Sequence, residues 1–391
     1  MEEGATAAAY LPDDIVVDIL ARLPAKLLCR FKCVSRRWRS LISDPAHRAR
    51  LAQTLSGFFF VSRAPAWRFA GLQSSVTPPG GPPPVDTSLS FLPPSCGEIK
   101  MLDSCNGLLL LRCSNERPRR PPPPFYVVCN PATREWVALP RPRYTPGQHA
   151  YCYEYEGNVV TWYAAVGFDP AVSSHFYVFQ MVEVDYTTEC YLEAVEIYSS
   201  ETGAWIMSEM GRGDAYFGAF MHHMTYFNGS LHLTSDSDAV ASVGAKGRSW
   251  RIIHVLRREE DHHHHGRAYI GHSQGHLLYV DDVPREDVLS IYVLEDQDSG
   301  EWALTRRVSK KDLLFEPWKN MMRPTYYKAG FHPNGDLIFF YDRTREKLIA
   351  YDMSRNDWRV VCTLGDFEHA HRAFFPYVPW YSRGLASPNS S

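Results

Sequence analysis

The sharpest catalytic pattern in the chain is Gly271-His272-Ser273-Gln274-Gly275, which has the G-x-S-x-G form of a nucleophile elbow. In that device the serine stands on a tight turn between a strand and a helix, its hydroxyl raised toward a base. Acidic residues and then His369 or His371 follow in the order such a triad uses. The surroundings do not supply the helix. Gly275 runs into His276-Leu277-Leu278-Tyr279-Val280, whose pattern predicts a strand, so hydrolysis is not the expected activity. Asp261-His262-His263-His264-His265 offers imidazoles, common ligands for zinc, copper and nickel. Consecutive histidines cannot all reach one ion, and the run lies between Arg257-Arg258-Glu259-Glu260 and Gly266, a solvated loop by composition. His222-His223 reads as part of a strand, with one residue on each face. The chain contains no P-loop, HExxH or GxGxxG. The expectation is therefore a protein that is not an enzyme, with no catalytic residue, no metal and no cofactor.

The elements that carry these residues are mostly strands. From Gly57 onward, short runs rich in Val, Ile, Tyr, Phe and Trp alternate with Gly, Asn, Asp and Pro, the pattern of many short strands. A phrase of apolar residues, a polar turn, Trp and more apolar residues recurs around Trp136, Trp205, Trp302 and Trp358, with a degenerate copy at Trp250. A second phrase, a Gly-containing turn that opens a strand, recurs at Asn106-Gly107, Asn228-Gly229, Gln274-Gly275 and Asn334-Gly335. Repeats of about 40 to 50 residues with four strands each suit a β-propeller, because one blade cannot bury both faces until neighbours stack on it. About six blades are expected over residues 57–385, with seven blades or paired β-sandwiches as the alternatives. Thr77–Pro84 and Glu116–Pro124 are proline-rich and cannot feed a sheet ladder, so they read as surface loops. The aromatic clusters Tyr151–Asn158 and Phe374–Tyr381 could line a recognition face.

The N-terminal stretch is different. Pro12 suits a first helical position, and Asp13 and Asp14 complement the positive end of the helix dipole. Ile15, Ile19, Leu20 and Leu23 then fall at helical spacing before Pro24. Leu27, Leu28, Phe31 and Val34 mark a second helix. Ser35 is a good N-cap for a third, with Trp38, Leu41 and Ile42 before Asp44-Pro45. A unit this short seldom buries itself completely, so its apolar side chains are expected to meet another surface.

Those residues carry a resemblance. Leu11-Pro12, Asp18-Ile19-Leu20, Leu23-Pro24-Ala25-Lys26, Arg30 to Ser35, Trp38 and Ser40 to Pro45 resemble the F-box of plant F-box proteins. Leu27 stands where Ser is common, and His47 where Phe is common. Cys129-Asn130-Pro131-Ala132-Thr133-Arg134-Glu135-Trp136, Gly167 to Pro170 and Gly330 to Asp336 are similar, more loosely, to the F-box-associated domain that follows such modules. The resemblance implies a small all-α module over residues 10–52, a substrate-binding β-propeller over 57–385, and flexible termini at 1–9 and 386–391. It also implies a substrate receptor of a Skp-cullin-F-box ubiquitin ligase, with a Skp-type adaptor, a cullin reached through it and a protein target as partners. The residues expected at the adaptor are Leu11, Pro12, Ile15, Ile19, Leu23, Pro24, Leu27, Leu28, Phe31, Val34, Trp38 and Leu41, some of which must hold the helices together instead. The alternatives are a sugar-binding or hydrolytic propeller with a helical cap, and an F-box protein acting outside the ligase.

Charge and cysteine content fit an intracellular adaptor. With 41 basic and 44 acidic residues the net charge is only −3, so neither nucleic acid nor an anionic membrane is an expected partner. No apolar run approaches the roughly 18 residues needed to cross a bilayer, and the acidic start lacks the features of a secretory signal. Nine cysteines without CxxC spacing read as free thiols, which suits the cytosol or nucleus.

Overall fold

The alternating segments after Leu55 fold into antiparallel sheets wherever a turn residue permits reversal. A computed structural model describes residues 11–23, 25–44, 47, 55–61, 67–72, 85–114, 125–144, 151–152, 157–160, 163–186, 189–210, 223–234, 239–255, 268–283, 286–297, 299–311, 313, 325–364, 374–382 and 384–385. The chain divides into two units, Met1–Thr54 and Leu55–Ser391. The Thr77–Pro84, Glu116–Pro124 and Asp261–His265 segments, Pro24, His222, His369, His371 and both expected flexible termini lie outside the described residues.

Among the described residues of the first unit are the helices α1 (Asp13–Ala21), α2 (Ala25–Phe31) and α3 (Arg36–Ser43). Pro12 precedes the first helical residue, with extended ψ of 150°, one place earlier than its residue type predicts. Ser35 caps α3 as expected, its hydroxyl accepting the Trp38 backbone N–H at 3.1 Å. The interior is formed by Val16, Val17, Leu20, Leu28, Leu41 and Ile42, with Leu23, Phe31 and Trp38 packed against it. Phe31 and Trp38 meet edge to face at 5.4 Å. This corrects the expected face of α1: Ile15 and Ile19 point to solvent, and Val16 and Val17 take the core positions beside Leu20. α1 is apolar on two sides, so periodicity alone does not select the inward one.

The second unit is a six-bladed β-propeller, as its repeats predict; the seven-blade and sandwich alternatives do not describe it. The first blade joins β1 (Gly57–Val61) and β2 (Trp67–Gly71) to β25 (Phe374–Tyr377). The next is β3 (Glu98–Cys105), β4 (Leu108–Ser114), β5 (Tyr126–Asn130) and β6 (Glu135–Ala138). The third contains β9 (Ala164–Phe168), β10 (Phe176–Tyr186), β11 (Glu189–Ser199) and β12 (Ala204–Glu209), extended by β7 (Tyr151–Cys152) and β8 (Gly157–Val160). The fourth runs from β13 (Met224–Phe227) through β14 (Ser230–Thr234) and β15 (Ala239–Gly244) to β16 (Trp250–His254). β17 (Tyr269–Ser273), β18 (His276–Asp281), β19 (Val288–Asp296) and β20 (Glu301–Ser309) form the fifth. β21 (Tyr326–Phe331), β22 (Leu337–Asp342), β23 (Lys347–Asp352) and β24 (Asp357–Thr363) form the last.

The inner strands touch in the cyclic order β25, β3, β9, β13, β17, β21 and back to β25. The ring is closed by the two ends of the domain. β25 pairs antiparallel with β1, setting Phe58 opposite Pro376, Phe59 opposite Phe375 and Phe60 opposite Phe374. Phe374, Phe375 and Tyr377 are thus buried in the closure, which corrects their reading as a recognition surface. Both sequence phrases have a place in this frame. Trp67, Trp136, Trp205, Trp250, Trp302 and Trp358 each sit at the first or second residue of the outermost described strand of one blade. The turns Asn106-Gly107, Asn228-Gly229 and Gln274-Gly275 have both residues at positive φ, the two-residue geometry that matches strand twist. Asn334-Gly335 stays out of the left-handed region and forms a longer connection.

Candidate functional site

Leu11, Ile15 and Ile19 recur at four-residue spacing, so the two isoleucines stack on one side of α1 and Leu11 continues their line just ahead of it. All three are exposed, as are Pro12 and Val34, which is 60% accessible just beyond α2. Leu23, Leu27, Phe31 and Trp38 are half-buried. Leu28 and Leu41, at 6% and 7%, belong to the helical interior, so among the residues expected at a partner these two hold the unit together. Arg37 pins the start of the stripe: its Nε donates to Asp13 Oδ1 at 2.7 Å and one of its Nη groups to the Leu11 carbonyl at 2.5 Å. The unit therefore presents an apolar stripe on its surface that its own described core does not use.

The propeller contributes an axial cavity of about 100 Å³, open on one side and lined from all six inner strands. Several of its polar groups lock neighbouring blades. Ser104 Oγ donates to the Pro376 carbonyl at 2.8 Å, Asn106 Nδ2 to the Phe168 carbonyl at 2.7 Å, and Asp103 Oδ2 accepts the Val166 N–H at 2.9 Å. Thr225 Oγ1 and His272 Nδ1 are 3.2 Å apart, and the His272 ring stacks on Phe227. Burial holds the His272 imidazole below its usual pKa, against the pull of Asp169, so the ring is neutral at pH 7. His232 is lowered further, to about 4, again by burial.

The Gly271–Gly275 pattern lies on the β17–β18 hairpin, a strand, a two-residue turn and another strand. Ser273 is buried, and its hydroxyl lies 2.7 Å from the His332 carbonyl and 3.0 Å from that of Gly335 in the next blade. Gln274 adds a backbone bond to the Pro333 carbonyl at 2.7 Å and a side-chain bond to Asp336. The motif is a blade-to-blade fastener. Among the described residues no group of three or more His, Cys, Asp or Glu could hold a metal ion.

Sequence reasoning did not single out two buried polar clusters. Gln180 donates to Glu196 Oε2 and to the Tyr144 carbonyl, both at 2.7 Å, and accepts from the Tyr126 hydroxyl at 2.7 Å. Glu196 also accepts the Arg143 N–H at 2.8 Å, which ties the segment after β6 to the third blade. Asp282, fully buried, pairs with Lys310 at 2.9 Å and with Lys328, and accepts the Tyr326 hydroxyl at 2.7 Å. Gln180, Glu196 and Lys328 carry a strand-like polar alternation and Asp282 closes such a run, and nothing in one sequence tells an inward polar residue of this kind from an outward one.

Residues 10–49 match the model of the F-box domain, and residues 87–375 match that described as F-box protein At3g26010-like, beta-propeller. The chain belongs to this F-box β-propeller family. Relatives of this F-box protein include F-box protein At5g07610 of Arabidopsis thaliana, 25% identical over 334 residues, with 81% of this chain and 74% of the relative covered. Another, the putative F-box/kelch-repeat protein At1g15680 of the same plant, is 24% identical over 381 residues, with 90% and 84% covered. An F-box module joined to a propeller makes this F-box protein one of receptor type. Among the described residues, none of its helices is long and apolar enough to cross a membrane.

Proposed function

We propose that the chain is the substrate-recognition subunit of a Skp-cullin-F-box ubiquitin ligase. The F-box over residues 10–52 docks a Skp-type adaptor and, through it, a cullin, and the propeller over 57–385 holds a protein target. The observation that carries this reading is the exposed stripe of Leu11, Ile15 and Ile19, with Pro12 and Val34, on a helical unit whose core is satisfied by other residues. Leu23, Pro24, Leu27, Phe31 and Trp38 complete the adaptor surface in this reading, and Leu28 and Leu41 support it from inside. The protein makes no bond itself. It raises the effective concentration of the target near the charged ubiquitin enzyme, which works only if both docking events fit one geometry. Such a role places it in the cytosol or nucleus.

The test is co-purification of Skp-type adaptor and cullin with the full chain carrying Ile15→Asp and Ile19→Asp. Both side chains are exposed, so the helices should remain folded while binding falls below detection. Retention of the adaptor by that variant overturns the docking surface, and adaptor capture without cullin overturns the ligase assignment.

A further inference from the structure

The axial cavity has a chemistry that receptor function does not require. Tyr226, Tyr269, Phe331, Phe374 and Phe375 give it aromatic walls, and about 100 Å³ is open to water-sized occupants. An apolar cavity of about 150 Å³ accommodates benzene, so this one takes at most a single six-membered ring, part of it in the open mouth. Its described lining residues include the Asp103 carboxylate and no lysine or arginine, and of its two imidazoles, His223 and His272, burial keeps the latter neutral, so the lining disfavours an anion. His272 Nδ1 is engaged by Thr225, whereas Nε2 has no protein partner among the described residues. If the Thr225 hydroxyl donates to Nδ1, Nε2 carries the proton and needs an acceptor; in the other tautomer Nε2 needs a donor. A hydroxyl satisfies both cases.

We propose that the axial cavity is a binding site for a small uncharged aromatic ring bearing a hydroxyl group, a phenol, with the ring held by the aromatic walls and the hydroxyl bonded to His272 Nε2. Such a phenol arrives either as a free small molecule or as a tyrosine side chain of a bound protein. The site is independent of the adaptor surface, so failure of one reading leaves the other standing.

The experiment is titration of the full chain with phenol, benzene, benzoate and N-acetyltyrosine amide, followed by saturation-transfer NMR and calorimetry. Phenol should bind more tightly than benzene by about 3- to 10-fold, the factor one hydrogen bond supplies, and benzoate should not bind. His272→Phe should abolish the preference of phenol over benzene while the melting transition persists. Binding of N-acetyltyrosine amide as well as phenol assigns the site to a presented side chain, and binding of phenol alone to a free ligand. Equal affinity for phenol and benzene on the unmodified protein, preference for benzoate, or no binding of phenol up to its solubility overturns the proposal without reliance on the variant.

Discussion

Trp380 lies so close against Gly107 that a Cβ on the glycine would stand 2.5 Å from Trp380 Cβ and 2.6 Å from the Trp380 backbone nitrogen. The contact fixes the segment after the closing strand beneath the second and third blades. The Trp380 ring packs on Phe168 at 4.8 Å, its carbonyl accepts from Asn130 Nδ2 at 2.8 Å, and the Gly384 N–H reaches Glu135 Oε1 at 3.1 Å. Gly107, at φ +93°, therefore serves both a hairpin turn and the path of the C-terminal segment.

Gly107→Ala and Gly229→Ala separate those two roles. Gly229, at φ +76°, has open space around its Cβ position, so alanine there pays only for the left-handed backbone, about 1–2 kcal/mol. Gly107→Ala adds a clash with backbone atoms that cannot rotate away, and its loss should exceed that of Gly229→Ala by about 1–3 kcal/mol. Urea denaturation of both variants checks this. Equal losses would show that the Trp380 segment is readily displaced.

The aromatic closure predicts a second effect. Phe375 is buried, opposite Phe59 and in contact with Trp67, where β1 and β25 pair the two ends of the domain. Phe375→Ala should cost about 3–5 kcal/mol. Because a ring of blades opens at its weakest joint, hydrogen exchange should quicken first in β1, β3 and β21, the neighbours of β25, while β9, β13 and β17 keep their protection. Uniform acceleration around the ring would argue against closure as the point of opening.

Much of this architecture is legible from residues alone, for identifiable reasons. Trp136, Trp205, Trp250, Trp302 and Trp358 mark blades because each follows a polar turn that must come before an outer strand. Asn106-Gly107 and Gln274-Gly275 mark hairpins because only residues tolerant of positive φ can make a two-residue turn. Trp67 marks the remaining blade but is not flanked by the same phrase: its strand pairs with β1, and the blade is completed on the other side of β1 by β25, from the far end of the chain. Long-range pairing leaves no local signal. For the same reason Phe374 and Phe375 read as a surface cluster until β1 is seen to cover them. Within α1 the sequence identifies the apolar residues but not their division, because Ile15 and Val16 differ in burial only through what α2 and α3 place beside them.

Glu183 makes stability depend on pH. It lies in β10 at the bulge where the strand exchanges β9 for β8 as its partner. The residue is 1% accessible, its Oε1 has no hydrogen-bond partner among the described residues, and burial raises its pKa to about 8. The folded state thus holds a proton that the unfolded chain releases near pH 4.5. The associated stability is fully present below that value and declines as pH rises to about 8, by at most about 1.4 kcal/mol per pH unit. Glu183→Gln should remove this slope and raise the melting temperature at pH 8 relative to the unmodified protein. Parallel melting curves for both proteins between pH 5 and pH 8 would refute it.

Asp282 has the opposite dependence and the larger structural burden. Burial alone would raise its pKa, but the Lys328 and Lys310 ammonium groups more than offset this and hold the carboxyl below its ordinary range. The carboxylate is therefore retained to lower pH in the folded state than in the unfolded one. Its contribution is present above the unfolded pKa of 3.8 and is lost as pH falls below it. Removing the charge is worse than titrating it, because Lys310 and Lys328, each under 10% accessible at the side chain, would keep their charges without the partner that joins the fifth and sixth blades. Asp282→Asn should cost about 3–5 kcal/mol, as for other buried pairs broken from one side. Adding Lys310→Met and Lys328→Met to that variant should recover part of the loss, since the uncompensated charge, not the missing attraction, dominates it. If the triple variant melts below Asp282→Asn, the lysines owe their place to other contacts, and the charge argument for this joint fails.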